Sequence, residues 1–425
     1  MMWPGLAALS AAALALTVPA PGLAAVQGKA VPSALAASGP AYAPGSLLCA
    51  AGTHNFRVFW DETPGSRHLP TGWSARDHNC STAPPLVRRI VAIVEQMRSA
   101  EIALGFRPPA SDSGTRRNGG DGRYDIYLAR QKSGILGRTY CTYVRKGGKP
   151  GRRWSTTMVV SRLPQAVDPD RLLRETLAHE YFHGVQCRIA PRLELLPLSI
   201  VEGTANWMAA AVTADWARAE GPFLGSLPGL MLRSAASTHS VTRQSYDAWG
   251  FWFEATQGRA QPALIRTLFR RSANRTRRTT GDSDLRAVVP ALEQILLRYA
   301  LALRGARPLG GTVLPAVYRD DLDDPLPLLD LAARRTASTT VPLEPIAYRF
   351  PGVAWEDDAG RVTIRVAGVP SRSVAIAGVT AKRFQHDGAT VFEIDADLAG
   401  EATIVLVNAG RTVRSVRVSA LRSSG

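Results

Sequence analysis

The sequence predicts an α+β fold, with a mixed N-terminal sheet and helices, a largely helical second half, and a small all-β sandwich after it. Residues 54–207 show strand-like and helix-like patterns in the order strand, helix, strands, helix. Helical apolar spacing then continues to about residue 304, and from residue 341 the apolar period becomes two. A chain of 425 residues with 45% hydrophobic residues is long enough for two or three domains with their own cores.

The first 45 residues read as targeting and leader segments. Residues 1–25 contain no Lys, Arg, Asp or Glu, and an apolar run at 6–18 precedes a stretch of small residues. This pattern predicts a secretory signal peptide over 1–25, although the usual basic start is missing. A membrane anchor is the alternative, but the run is short for one. Residues 26–45, rich in Ala, Pro, Gly and Ser, predict a flexible leader.

Four cysteines are consistent with an exported protein, because disulfides persist outside the cytosol. Of the three possible pairings we expect Cys49–Cys80 and Cys141–Cys187, since each would tie neighbouring segments together. The second bond would join the end of a helix to a preceding strand. A zinc-thiolate site is the rival interpretation, but no C-x-x-C spacing supports it. Free thiols are the third possibility.

The first domain is predicted to occupy residues 46–304. Its first strand, HNFRVFW, has apolar residues on one face, and a helix follows from the proline pair at 84–85 to Gly105. Residues 107–123 form a loop whose NGGDG segment is interpreted as a turn rather than a calcium site. Three further strands are expected at 123–129, 138–144 and 154–161.

A second helix is predicted to begin at Pro169. Asp168 is suited to cap it, Pro is favoured at the first helical position, and no Pro or Gly interrupts it before Gly184. This helix carries the sequence H-E-x-x-H at residues 179–183. A second apolar, Ala-rich stretch follows and contains Glu202.

The H-E-x-x-H sequence has the spacing of a metal site. Residues four apart lie on one face of a helix, so His179 and His183 can bind one ion, with Glu180 beside them as a base. Glu202 can supply a third ligand, and two imidazoles, one carboxylate and a water make a catalytic zinc site. The alternative interpretation is two histidines of the core and a glutamate of the surface.

The segments HEYFHGVQ and VEGTANW resemble the gluzincins, the thermolysin-related zinc metallopeptidases, and are most similar to secreted bacterial members. The resemblance implies a zincin-like metallopeptidase domain over 46–304, with His179, His183 and Glu202 as ligands and Glu180 as general base. Asn206 stands where thermolysin has an aspartate that holds the first histidine. An amide can accept the imidazole N–H but adds no charge.

The same resemblance implies two further features of a substrate cleft. The strand at 154–161 would border the cleft and could bind an extended peptide by β-augmentation. An ordinary edge strand is an equally good interpretation of it. Tyr246 or His239 would come from the helical second half to stabilise the oxyanion, and no spacing rule decides between them.

The rest of the chain divides into three parts. Residues 283–304 predict a helix with a kink at Pro290. Residues 305–340, rich in Pro with an acidic cluster, predict a linker, and 341–425 predict a β-sandwich domain of short strands and turns. This module could hold substrate or wall polymer, or cap the enzyme.

We therefore expect a secreted zinc metallopeptidase, with one Zn²⁺ per chain, that cleaves peptide or protein substrates. It is expected to be secreted or extracellular, with association with the cell envelope as an alternative, and to have no transmembrane segment in the mature chain. The net charge of +16 would attract anionic cell-envelope polymer. The basic residues are dispersed and no nucleic-acid-binding signature is present, so nucleic acid is not an expected partner. The alternative is a non-catalytic cell-envelope adhesion protein on a zincin scaffold.

Overall fold

The computed structural model describes residues 29–30, 47–63, 66–68, 80–111, 121–131, 135–146, 149–161, 169–219, 240–258, 260–304, 329–331, 335–355, 360–396 and 400–423. Over these residues the chain is a mixed α+β protein with seven α-helices and three β-sheets. The predicted signal peptide 1–25, Asp168 and His239 lie outside the described residues. The same is true of most of the predicted leader and most of the predicted linker.

The N-terminal sheet has six strands among the described residues, in the order β1-β2-β3-β4-β6-β5. Pairing is parallel between β3 and β4 and between β4 and β6, and antiparallel elsewhere. Two residues of the predicted leader form its first strand. The strands are Lys29–Ala30 (β1), Leu48–Gly52 (β2), Phe56–Asp61 (β3), Tyr124–Leu128 (β4), Gly137–Lys146 (β5) and Lys149–Val160 (β6).

The position of β6 corrects one expectation. The segment 154–161 was expected to be the strand that borders the cleft, but β6 pairs with β4 on one side and with β5 on the other. The chain leaves β4, forms β5 at the outside and turns back through a hairpin, so the later strand is inserted between the two. Among the described residues, β5 is therefore the edge strand on this side of the sheet.

Two long helices, Pro85–Ala103 (α1) and Pro169–Ile189 (α2), pack on this sheet, and a third, Leu198–Ala219 (α3), packs against both of them. Phe56, Val58 and Trp60 alternate along β3, and all three are buried in the main core with apolar residues of these helices. Both helix starts at proline agree with the sequence analysis, and Gly105, with φ of 82°, follows the end of α1. Within the described residues, no helix has the length and apolarity needed to cross a membrane.

The helical second half is interrupted at residues 289–291, where the sequence predicted only a kink at Pro290. Residues 283–304 were expected to form one bent helix, but Val289 is extended and Ala291 has a φ of 47°, so two helices form. Proline disfavours the helical conformation of the residue before it and lacks the N–H that a continuous helix needs. The helices are Trp249–Ala255 (α4), Ala263–Ser272 (α5), Asp282–Val288 (α6) and Leu292–Leu303 (α7).

The C-terminal region is rich in β-strands, and two five-stranded sheets enclose a common apolar core. The inner sheet has the order β12-β15-β10-β7, with β9 also paired to β15, and the outer sheet has the order β13-β14-β11-β16-β8. The strands are Leu329–Asp330 (β7), Thr336–Leu343 (β8), Ala347–Arg349 (β9), Gly352–Trp355 (β10), Gly360–Ala367 (β11), Val374–Ala377 (β12), Lys382–His386 (β13), Ala389–Ala396 (β14), Gly400–Asn408 (β15) and Arg414–Ser423 (β16). Because β7 and β8 overlap the predicted linker 305–340, the β-rich region begins before residue 341.

The inner sheet also packs against the helical part of the molecule. Along β15, Ile404 and Leu406 point into the core between the two sheets, whereas Val405 and Val407 belong to the main core with the helices. Tyr348 of β9 lies in that same main core and is fully buried. The helical region and the inner sheet therefore share apolar contacts in the main core, while the two β-sheets enclose a second apolar core between them.

Candidate metal centre

Helix α2 carries several polar residues that are buried in the protein interior. Every residue from 175 to 187 is buried, so the helix is enclosed on all sides over more than three turns. His179, Glu180 and His183 are less than a tenth exposed, and Gln186 is fully buried. Buried polar groups are costly unless they are paired, so each should have an identifiable partner.

His179, His183 and Glu202 come together at the packing contact between α2 and α3. Nε2 of His179 lies 2.9 Å from Nε2 of His183 and 3.1 Å from Oε2 of Glu202. The remaining pair, Nε2 of His183 and Oε2 of Glu202, is separated by 3.4 Å. A tetrahedral zinc site with arms of about 2.05 Å has edges of roughly 3.3 Å. The three groups therefore have the identity and the spacing that one such ion requires.

The charges of these groups are strongly coupled. Burial alone would lower the pKa of His183, but its hydrogen bond and charge interaction with Glu202 outweigh burial and raise the pKa to about 9. Burial opposes ionisation of Glu202, yet the two histidines hold the pKa of its carboxyl well below the usual range. The cluster thus keeps its carboxylate charged, as a cation site requires.

Two side-chain amides fix the orientation of the imidazoles. Nδ1–H of His179 donates to Oδ1 of Asn206 at 2.7 Å, and Nδ1–H of His183 donates to Oε1 of Gln186 at 2.8 Å. Both bonds leave Nε2 free to accept a metal. The place of Asn206 agrees with the expectation from the resemblance. Gln186 was not assigned a role in the sequence analysis, although its position three residues after His183 is a signal for it.

Gln186 is itself held in place by α3. Its Nε2 donates to the backbone oxygen of Val201 at 2.8 Å and to Oγ1 of Thr204 at 2.9 Å. The buried amide of Gln186 thus donates two hydrogen bonds and accepts one, and only one orientation of its oxygen and nitrogen makes all three bonds. The tautomer of His183 is therefore fixed by contacts between α2 and α3.

Tyr246 lies beside the three converging residues. Its ring stacks on that of His179 with centroids 5.6 Å apart, and it remains 41% exposed. Burial of its hydroxyl, followed by the charge of Glu202 and a hydrogen bond to that carboxylate, raises the pKa of Tyr246. Its phenol therefore stays protonated and able to donate at any physiological pH.

The edge strand β5 contacts Glu180 directly. Oγ1 of Thr139 lies 2.8 Å from Oε2 of Glu180 and 2.7 Å from its backbone oxygen. A Cβ at Gly137 would lie only 2.5 Å from Cγ of Glu180. Glycine thus leaves the space that the carboxylate occupies, and threonine orients it. The sequence analysis identified neither residue, because the contact depends on which strand lies at the edge.

A disulfide holds this strand to the helix. The predicted pairs Cys141–Cys187 and Cys49–Cys80 are both present, with Cα–Cα distances of 6.1 Å and 5.3 Å. Cys141 is on β5 and Cys187 is near the end of α2, so the bond keeps the strand against the helix that carries the histidines. In the other pair the two sulfurs lie beside Glu62, but each sulfur is bonded to the other.

Comparison of the chain with protein-family models, with curated proteins and with solved structures finds no match. The chemistry of the centre therefore has to be argued from its own geometry.

Proposed function

We propose that this protein is a secreted zinc-dependent metallopeptidase with a zincin-like arrangement of residues 46–304. The observation that supports it best is that the two Nε2 atoms and one oxygen of Glu202 lie within 3.4 Å of each other. A second carboxylate, that of Glu180, lies on the helix that carries the histidines. The donor set and its near-tetrahedral spacing suit Zn²⁺. His179, His183 and Glu202 would be its ligands.

When bound there, zinc would polarise a peptide carbonyl and lower the pKa of a coordinated water toward about 7. Glu180 follows the first histidine directly, and its charge acts on both His183 and Tyr246. Its carboxylate would take the proton of the attacking water and return it to the leaving amine. Thr139 holds that carboxylate in place for both transfers.

Tyr246 would donate its hydroxyl proton in a hydrogen bond to the developing oxyanion. Its raised pKa supports this function, because the phenol must remain neutral to act as a donor. The exposed edge of β5 would receive an extended peptide by β-augmentation, with the peptide running past Gly137 and Glu180.

The test is the variant Glu180→Gln. It keeps the shape of the side chain and leaves the three ligands untouched, so zinc content should stay at one per chain. Hydrolysis of a peptide library should fall by about 10²–10⁴-fold. Glu194→Gln, at an exposed position in the turn between α2 and α3, is the matched control and should retain full activity.

Two outcomes would change the assignment. Full activity of the Glu180 variant would remove that residue from the mechanism. A wild-type protein that holds stoichiometric zinc and cleaves no peptide, with or without chelator, would favour the non-catalytic adhesion function.

A further inference from the structure

The segment that presents Tyr246 has little structure of its own. Residues 240–248 contain two three-residue 3₁₀ turns, Val241–Arg243 and Tyr246–Ala248, joined by Gln244, which is extended, and Ser245, which is not. Such short turns have weak internal hydrogen bonding, so their position is set by what they pack against. We refer to residues 240–248 as the tyrosine segment.

On one side, the tyrosine segment rests on α3. A Cβ at Gly203 would lie 2.7 Å from Cβ of Ala248, so only glycine permits this closeness. Nδ2 of Asn206 donates to the backbone oxygen of Tyr246 at 3.1 Å. Asn206, which orients His179, therefore also holds Tyr246, whose ring stacks on that imidazole.

On the other side, the tyrosine segment is paired with the β-rich region. Ser240 forms an antiparallel bridge with Ala347 of β9, and the backbone N–H of Val241 donates to the oxygen of Ile346 at 3.1 Å. At the far end of the same stretch, Nε2 of Gln244 donates to the hydroxyl of Tyr348 at 2.7 Å. These bonds extend the inner sheet toward the metal centre.

The bond between Gln244 and Tyr348 is well placed to control the segment. Gln244 is 2% exposed and Tyr348 is fully buried in the main core, so water cannot easily replace either partner. Gln244 is two residues from Tyr246, so a displacement of one moves the other. Loss of the hydrogen bond between Gln244 and Tyr348 would weaken the attachment of the tyrosine segment on the side that faces the β-rich region.

From these contacts we infer that Tyr348 and Gln244 are positioning residues for Tyr246, so that the β-rich region is part of the proposed catalytic site. This inference rests on the proposed function. In this arrangement β9 of the β-rich region fixes the distance between the hydroxyl of Tyr246 and the proposed metal ligands. In this inference both residues act on the metal ligands through the tyrosine segment.

The test is a double-mutant cycle in the full chain. Tyr246→Phe should lower kcat by about 10²-fold, the usual effect of removing one oxyanion donor. Tyr348→Phe should lower kcat about tenfold, with KM and zinc content nearly unchanged, because one buried hydrogen bond is lost. The double variant should be no slower than Tyr246→Phe alone, since the positioning residue then has nothing to position.

Val418→Ala is the control for a general loss of stability. Val418 is fully buried in the core between the two sheets and is not part of the main core that contains Tyr348. At a temperature where it is folded, this variant should keep the wild-type kcat. Additive effects of Tyr348→Phe and Tyr246→Phe, or an equal loss in Val418→Ala, would overturn the inference.

A second measurement does not need activity. Amide hydrogen exchange of residues 240–248 should accelerate in Tyr348→Phe and stay unchanged in Val418→Ala, because only the first loses a bond to the tyrosine segment. Unchanged exchange in Tyr348→Phe would overturn the inference, whether or not the wild type cleaves peptides. If exchange accelerates but no peptide is cleaved by the wild type, the proposed function fails and the structural coupling stands.

Discussion

If the protein has the proposed function, Gly137→Ala should inactivate it while leaving it folded. The backbone of Gly137 does not have a positive φ, so alanine is compatible with its conformation. Replacing glycine at such a position reduces the entropy of the unfolded chain and adds about 0.4–1 kcal/mol to the free energy of unfolding. The added methyl group, however, enters the space of the Glu180 side chain.

The size of the effect follows from the contact distances. The new Cβ would lie 2.5 Å from Cγ of Glu180, whereas an ordinary contact begins at 3.4 Å, so the two groups must separate by 0.9 Å. The strand cannot move easily, because β5 is paired with β6 and bonded through Cys141 to Cys187. Glu180 must therefore move, and a displacement of about 1 Å costs on the order of 10²-fold in rate.

The assay is kcat/KM on a fluorogenic peptide, together with zinc content and a thermal unfolding curve. We expect an activity loss near 10²-fold, one zinc per chain, and a single cooperative unfolding transition, because the lower entropy of the unfolded chain and the new overlap have opposite effects on stability. Arg138→Ala, on the neighbouring exposed position of the same strand, should stay within about twofold of wild type, since side chains alternate between faces. Wild-type activity of Gly137→Ala would refute the placement of Glu180 against the edge strand.

Three further predictions concern the candidate metal centre. Gln186→Leu removes the acceptor for Nδ1–H of His183, so zinc binding measured by chelator competition should weaken by about 10–100-fold. An affinity near that of the wild type would show that Gln186 does not orient His183. Because the pKa of His183 without metal is about 9, zinc must displace a proton, so the measured affinity should fall about tenfold per pH unit as the pH drops below 9. The stability that His183 gives the metal-free protein has the opposite dependence: it is present below pH 6.5 and is lost as the pH rises through 9. A pH-independent zinc affinity would show that this histidine is neutral before binding.

The two candidate histidine ligands were identifiable from spacing because helix geometry is local. Residues four apart on a helix share a face in any fold, so His179 and His183 could be paired without knowledge of the remaining structure. The expectation that Asn206 holds the first histidine came instead from the resemblance to thermolysin. Cysteine count and segment order were also enough to predict both disulfides, which the structure confirms.

The groups that surround the ligands were not accessible in this way. Thr139 and Gly137 contact Glu180 across 41 and 43 positions of sequence, and this contact depends on β5, not β6, being at the edge. Strand order is decided by long-range pairing, which the alternation of residues within one strand does not encode. The expectation for 154–161 failed for that reason.

The sequence by itself determined the α+β character, the helix that carries the H-E-x-x-H residues, and the types of residue available to a metal, because these depend on local periodicity and composition. Only the tertiary structure decided that Glu202 meets the two imidazoles, that Gln186 holds one of them, and that Tyr348 of a distant strand supports the segment bearing Tyr246. Such contacts arise where helices and sheets pack together. Their geometry is set by the filling of a shared core, to which residues far apart in the chain contribute together.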